Sequence, residues 1–163
     1  MRYFDLGDID YTGGDIVPEL AAANQQAYGA PRRRFVRLNL LSDPLPESDL
    51  ILCRDCLFHF SHRDVFRALA QFARNSARFL LTTTFTYQSY PRNANIQTGP
   101  LWMLINLEME PYSLPPPIAV IIEGRHDKYR LADCDIPASD TCLGLWRMED
   151  VRARIERMTG AAT

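Results

Sequence analysis

The sequence predicts one α/β domain, residues 1–163, built on a mostly parallel sheet with helices on its faces. Three observations predict it. Apolar and β-branched runs alternate with helix signals along the chain. The order strand, helix, strand, strand, helix, strand is the one a parallel sheet with crossover helices produces. At 163 residues and 47% hydrophobic, the chain is long enough and apolar enough to bury a substantial core.

Taken in order, Ile9 to Ile16 reads as a short strand that reaches its polar end at the carboxylate of Asp15. A helix is expected from Pro18 to Tyr28. Proline suits a first turn, Glu19-Leu20-Ala21-Ala22-Ala23 has high helix propensity, and Gly29 with Pro31 stops it. Arg32, Arg33 and Arg34 read as a solvated turn leading into a strand. That strand, Phe35-Val36-Arg37-Leu38-Asn39-Leu40, alternates apolar and polar residues as a half-buried strand does. Leu50-Ile51-Leu52-Cys53 is apolar throughout, the mark of a parallel strand covered by helices on two faces.

Ser61-His62-Arg63-Asp64 spells a capping box, in which the serine oxygen and the acid three places on satisfy orphan N–H groups. Val65, Phe66, Leu69, Phe72 and Ala73 then recur at helical spacing. Phe79 to Phe85 is β-branched and aromatic, and predicts the next strand. Thr86 to Pro117 is a long irregular stretch, of the kind that in compact domains serves function or stays unfolded. Within it, the spacing of Trp102, Ile105 and Met109 fits a short amphipathic helix, either part of an acceptor pocket or lid or a cap on the sheet end. Pro115, Pro116 and Pro117 should run extended into a strand at Ile118–Ile122. A further strand is expected at Cys142–Trp146, after the polar, turn-rich stretch Glu123–Thr141. A last helix from Glu149 to about Met158 carries Val151, Ile155 and Met158 on one face.

Charge and composition narrow the function classes. With 18 basic and 20 acidic side chains the net charge is -2, which gives no broad electrostatic attraction to nucleic acid or an anionic membrane. No apolar run approaches the roughly 20 residues that cross a bilayer. The start, Met1-Arg2-Tyr3-Phe4-Asp5, lacks the basic-then-apolar order of a secretory signal. Four cysteines are too few for a disulfide scaffold, and a cytoplasmic protein is expected.

Parallel α/β sheets bind ligands beyond the carboxyl ends of their strands. Three polar features fall at such ends. Asp15 is placed where a carboxylate can accept both hydroxyls of a ribose, Asn39 where an amide can pair with a base edge, and Cys53-Arg54-Asp55 where a reacting group would sit.

These residues carry a resemblance. Tyr11 through Leu20 with Asn24 looks like the second-strand region of class I S-adenosylmethionine-dependent methyltransferases, where an acid ends the strand before a helix. Phe35–Asn39 and Pro44–Leu52 resemble the stretch leading into that family's fourth strand. Cys53–Phe60 is similar to its post-strand segment, and Cys142–Trp146 to the reversed last strand. The resemblance implies a Rossmann-like sheet, S-adenosylmethionine as cofactor, and methyl transfer to an unidentified small-molecule or glycan acceptor. It implies that Asp15, with Ile16 beside it, holds the ribose, and that Asn39, followed by Leu40, meets the adenine amino group. An aspartate is more usual at position 39, so adenine recognition should be weakened. Cys53, Arg54 and Asp55 would approach the sulfonium and the acceptor, with Leu57 and Phe58 packed near the adenosyl group; His59, on the same segment, is a candidate base by its own chemistry rather than by the resemblance.

The departure from the family lies at the start. Asp5-Leu6-Gly7-Asp8 echoes the acid-x-glycine of the family's first glycine-rich turn, but no second glycine follows and the helix after it is missing. The expected fold is therefore a truncated one without its first β-α unit. The open strand edges this leaves would invite a homodimer.

Competing readings of the same residues are mostly structural. Cys53-x-x-Cys56 between a strand and a helix matches the local setting of a redox dithiol, with Pro91 downstream, although the residues between the cysteines are not typical. A zinc site from Cys53, Cys56, Cys134 and Cys142 is weaker, because the second pair is spaced wider than finger-type ligands. His59 and His62 can act as bases near neutral pH, or can be satisfied by backbone carbonyls at a helix start. The alternative from another class is a non-catalytic remnant serving as a binding or oligomerisation module.

Overall fold

The computed structural model describes residues 6–86, 93–123, 128–131, 134–137 and 141–160. The chain divides into two compact units, Met1–Pro46 and Glu47–Thr163. Asp5, Pro91 and the side chain of Cys134 lie outside the described residues.

The first unit is a strand, a helix and a parallel strand: β1 (Tyr11–Asp15), α1 (Pro18–Tyr28) and β2 (Arg33–Arg37). The register pairs Tyr11 with Arg33 and Asp15 with Arg37, and the ladder runs one step on through Leu38 N–H to the Asp15 carbonyl at 2.8 Å. The two glycines of β1 explain why this strand can lie so close to its neighbour's side chains. A Cβ at Gly13 would sit 2.7 Å from the Phe35 ring, and one at Gly14 2.7 Å from Leu38. Phe35 in turn packs edge-on to Tyr11 at 5.7 Å, and Tyr28 closes the cluster at 6.3 Å. Gln25 of α1 accepts the Phe35 N–H at 2.7 Å, which fixes the helix against the start of β2.

The helix occupies the predicted residues, but the strand after it begins two residues early. Arg33 and Arg34 are strand residues rather than a solvated turn, because Tyr11 and Thr12 of β1 pair with them. Arg34 donates to Thr12 Oγ1 at 2.8 Å, and Arg32 forks onto Asp10 at 3.0 and 3.1 Å. Asn39 consequently lies two residues beyond the end of β2 instead of closing it.

The second unit contains β3 (Leu50–Cys53), a 3-10 turn (Leu57–His59), α2 (His62–Arg74), β4 (Phe79–Phe85), β5 (Ala119–Ile122), β6 (Lys128–Leu131), β7 (Cys134–Pro137), β8 (Thr141–Arg147) and α3 (Met148–Gly160). Its main sheet has the order β3-β4-β8-β5. β3 runs parallel to β4, while β8 is antiparallel to both β4 and β5. The architecture is thus mixed α/β, and β8 is the reversed strand expected at Cys142–Trp146.

Helices α2 and α3 pack together, and the core centres on Val65, Leu69, Phe72, Leu80, Trp146, Met148 and Val151, all essentially without exposure. Arg152 of α3 donates to the carbonyls of Ala73, Asn75 and Ala77 at 3.0, 2.7 and 3.1 Å, where α2 ends and its carbonyls lack intrahelical partners. Ser61 caps α2 by accepting the Asp64 N–H at 3.2 Å. The reciprocal half of the box closes through a third residue: Thr98 Oγ1 accepts the Ser61 N–H at 2.9 Å and donates to Asp64 at 2.6 Å.

Three expectations change here. Leu50 and Leu52 of β3 stay 46% and 47% exposed while Cys53 is buried, so within this unit β3 is covered on one face only. The stretch from Trp102 to Met109 is not a helix. Its backbone groups bond outward instead, Met103 N–H to Phe58, Ile105 carbonyl to Phe85, Asn106 N–H to Asn93 and Leu107 N–H to Thr84, which holds the segment irregular with Leu104, Ile105 and Leu107 buried. The polar stretch after Glu123 contains the antiparallel pair β6–β7, with Tyr129 opposite Ile136.

Candidate functional site

In the first unit the carboxyl ends of β1 and β2 lie side by side, since the strands are parallel and in register. Asp15 Oδ1 accepts the Val17 N–H at 2.8 Å and so opens α1, which leaves Oδ2 without a partner among the described residues. Ile16 beside it is 57% exposed. The Asn39 carbonyl oxygen accepts the Leu41 N–H at 3.0 Å, which leaves one of its two lone pairs for a further donor. Leu40 is half-buried. The turn is locked by Asp43, a residue with no motif to mark it. Its carboxylate accepts the Asn39 N–H at 2.9 Å, the Ser42 hydroxyl at 2.9 Å and Arg37 at 2.8 Å. These contacts, the Asn39 N–H foremost, hold the Asp43 carboxyl below its ordinary range.

In the second unit β3, β4 and β5 all run the same way, β5 because it is antiparallel to a strand that is itself antiparallel to β4. Their carboxyl ends therefore share one rim. Cys53 ends β3 and is 7% exposed, and Arg54 and Asp55 follow as exposed residues on a bend where Asp55 takes φ +53. Aspartate tolerates that left-handed conformation better than most residues. Arg54 donates to Glu123, at the end of β5, at 2.8 Å, and lies 3.6 Å from Asp55. The second Glu123 oxygen is buried and has no hydrogen-bond partner among the described residues.

Behind the rim stand Thr82, Thr83 and Thr84 of β4, none more than 1% exposed. Each hydroxyl holds a different segment. Thr82 donates to the Cys53 carbonyl at 2.7 Å, Thr83 accepts the Asp55 N–H at 2.9 Å, and Thr84 accepts the Leu107 N–H at 3.2 Å. The threonines read in the sequence as β propensity; nothing in their spacing shows that they position the loop after β3.

The 3-10 turn carries Leu57, Phe58 and His59. Leu57 is buried at 1% exposure, and Phe58 sits in an aromatic cluster with His59, Phe85 and Trp102 at centroid distances of 4.6, 6.1 and 6.2 Å. His59 Nδ1 lies 3.0 Å from the Leu101 carbonyl. A carbonyl can only accept, so Nδ1 carries the proton and Nε2 is the basic nitrogen. The carbonyl-satisfied histidine and the candidate base are thus the same arrangement. His62 is the first residue of α2, packs edge-on to Tyr112 at 5.5 Å, and points its buried Nε2 at no hydrogen-bond partner among the described residues.

The neighbouring Cys56 side chain and burial together push the Cys53 thiol well above the ordinary thiol range. Cys53 is therefore not the reactive, low-pKa thiol that a thioredoxin-type nucleophile requires. Among the described residues no three His, Cys, Asp or Glu side chains group as a metal site. No described helix is long and apolar enough to cross a membrane.

No family model and no curated protein matches the sequence. Among solved structures, the chain is similar to the CMeT (C-methyltransferase) domain of the citrinin polyketide synthase, with a TM-score of 0.53 and 16% identity. The match covers 83% of this chain and 38% of that one, so the chain spans well under half the length of its structural neighbour. At that identity the likeness concerns the fold alone, a Rossmann-like α/β architecture.

Proposed function

We propose that the protein takes part in methyl transfer from S-adenosylmethionine to a small-molecule or glycan acceptor. The observation that carries the proposal is the polar rim at the carboxyl ends of β3, β4 and β5, on a sheet whose fold is that of a methyltransferase domain. The residues present fit the cofactor in part. Within the first unit, Asp15 Oδ2 is available to ribose hydroxyls, and the Asn39 amide can still accept from or donate to a base edge. The sulfonium, when bound, supplies an already activated methyl group, so the protein's tasks are orientation and removal of a proton from the acceptor. His59 Nε2 and the Asp55 carboxylate are the groups suited to take that proton. Cys53, Arg54 and Phe58 shape the same rim, with Arg54 held in place by Glu123.

A second reading, the non-catalytic binding or oligomerisation module, is favoured by one observation: β3 is an edge strand of its sheet and leaves Leu50 and Leu52 half exposed. A ligand titration separates the two. A ligand that binds only the folded state must stabilise it, by about 2.7 kcal/mol at a hundredfold excess over its dissociation constant. S-adenosylmethionine should raise the melting temperature of the wild type, and Asp15→Ala should remove most of that rise. No shift at millimolar ligand, with a dimer seen by light scattering, would establish the module reading instead.

A further inference from the structure

The sequence holds one chemical motif that methyl transfer leaves unused, Cys53-x-x-Cys56. The fold sets both cysteines on one short bend. Cys53 is the last residue of β3, the chain bends through Arg54 and Asp55, and Cys56 immediately precedes the 3-10 turn. The positive φ of Asp55 turns the chain back, and the bend is held from behind by Thr82 on the Cys53 carbonyl and Thr83 on the Asp55 N–H. The Cys56 side chain is near enough to raise the Cys53 thiol above its ordinary range. A disulfide between two cysteines three residues apart would close a short ring on a bend that is already held in place.

We propose that Cys53 and Cys56 form a reversible dithiol–disulfide pair, oxidised by exchange with a low-molecular-weight disulfide such as glutathione disulfide. Access assigns the roles. Cys56 is half-buried and Cys53 is 7% exposed, so Cys56 meets the incoming disulfide. Its thiolate bonds to one glutathione sulfur, the glutathione S–S bond breaks, and the departing thiolate takes up a proton. The Cys53 sulfur, losing its proton to solvent, then bonds to the Cys56 sulfur and expels the second glutathione as a thiol. Two protein thiols and one glutathione disulfide become one protein disulfide and two glutathione thiols, with no other oxidant.

Cys142 is no competitor. It lies on β8, which β4 separates from β3, and it pairs in register with Thr84, whereas Cys53 pairs with Thr82. The proposal does not depend on methyl transfer. Its consequence for the rim is that the closed ring contains Arg54 and Asp55 and fixes the bend they occupy.

Trypsin gives a direct test, because it cleaves after Arg54, between the two cysteines. Folded protein is equilibrated with glutathione disulfide, then denatured in the presence of the alkylating agent and digested. The peptide ending at Arg54 and the one beginning at Asp55 should remain joined, unalkylated, and should separate with dithiothreitol. In Cys53→Ser, or Cys53→Ala if the serine variant does not fold, a glutathione adduct should accumulate on Cys56. In folded Cys56→Ser, Cys53 should remain unmodified. Alkylation of both cysteines in the oxidised wild type, a bridge from either to Cys134 or Cys142, or an adduct on Cys53 in Cys56→Ser would overturn the proposal.

Discussion

Thr84 offers a test of how the second unit is held together, because two substitutions there separate hydrogen bonding from packing. The residue is 1% exposed, and its Oγ1 accepts the Leu107 N–H at 3.2 Å and donates to the Ile105 carbonyl at 3.4 Å. The two bonds are not equally costly to lose. The Ile105 carbonyl also accepts the Phe85 N–H at 2.8 Å and stays satisfied without Thr84. Leu107 is fully buried, so its N–H would be stranded. Thr84→Val keeps the shape and adds apolar surface, but leaves that donor unpaired at about 1–3 kcal/mol, offset by up to about 0.8 kcal/mol of extra methyl burial. With the lost bond to Ile105, a net destabilisation of about 2 kcal/mol follows. Thr84→Ser keeps the oxygen and loses one methyl, for about 1 kcal/mol.

The order matters more than the sizes. If hydrogen bonding dominates, valine is the worse replacement; if packing dominates, serine is. Urea unfolding of both variants gives the order, and amide exchange locates the cause, since the Leu107 amide should lose protection in Thr84→Val and retain it in Thr84→Ser. A valine variant as stable as the serine one, with its Leu107 amide still protected, would refute the reasoning.

Two further outcomes follow from the same unit. Arg152→Met keeps the apolar stem but removes three charge-assisted bonds to the Ala73, Asn75 and Ala77 carbonyls, and should cost about 2–3 kcal/mol in urea unfolding, with Arg152→Lys recovering less than half. A loss below about 0.5 kcal/mol would mean the carbonyls are equally well served by water. Asp64 is held below its ordinary range, first by the Thr98 hydroxyl, with Arg67 and Ser61 adding to it. Its folded value is the lower one, so its contribution to stability is complete above the unfolded value of about 3.9 and is lost as pH falls through the folded value. Asp64→Asn should flatten the acid limb of the stability–pH curve below about pH 4, and an unchanged limb would show that other carboxylates control it.

What the sequence made legible was local. The bounds of α1 follow from Pro18 and the alanine run, those of β3 and β4 from unbroken apolar or β-branched stretches, and the start of α2 from Ser61 and Asp64. These signals need only neighbours along the chain. The errors came where a distant partner decides. Arg33 and Arg34 enter a strand because β1 offers them a ladder, and Trp102–Met109 stays irregular because its backbone groups are taken by Asn93, Thr84, Phe58 and Phe85. A helical spacing of apolar residues shows which side chains are buried, and Ile105 is buried, but not which groups satisfy the backbone.

The candidate rim illustrates the same division. Arg54 and Asp55 were recognisable from their place after a strand, yet what fixes them lies far away in sequence: Thr83 at a separation of 28 residues and Glu123 at 69. The topology makes the second contact possible. Because β8 is inserted antiparallel between β4 and β5, β5 runs with β3 and β4, and its last residues emerge at the rim where β3 ends. Without that reversed strand to turn it, β5 would have no fixed reason to deliver Glu123 beside Arg54. The antiparallel strand therefore does more than complete the sheet. It sets the direction of the strand that supplies the arginine's partner, and so connects the fold to the charge pattern of the site.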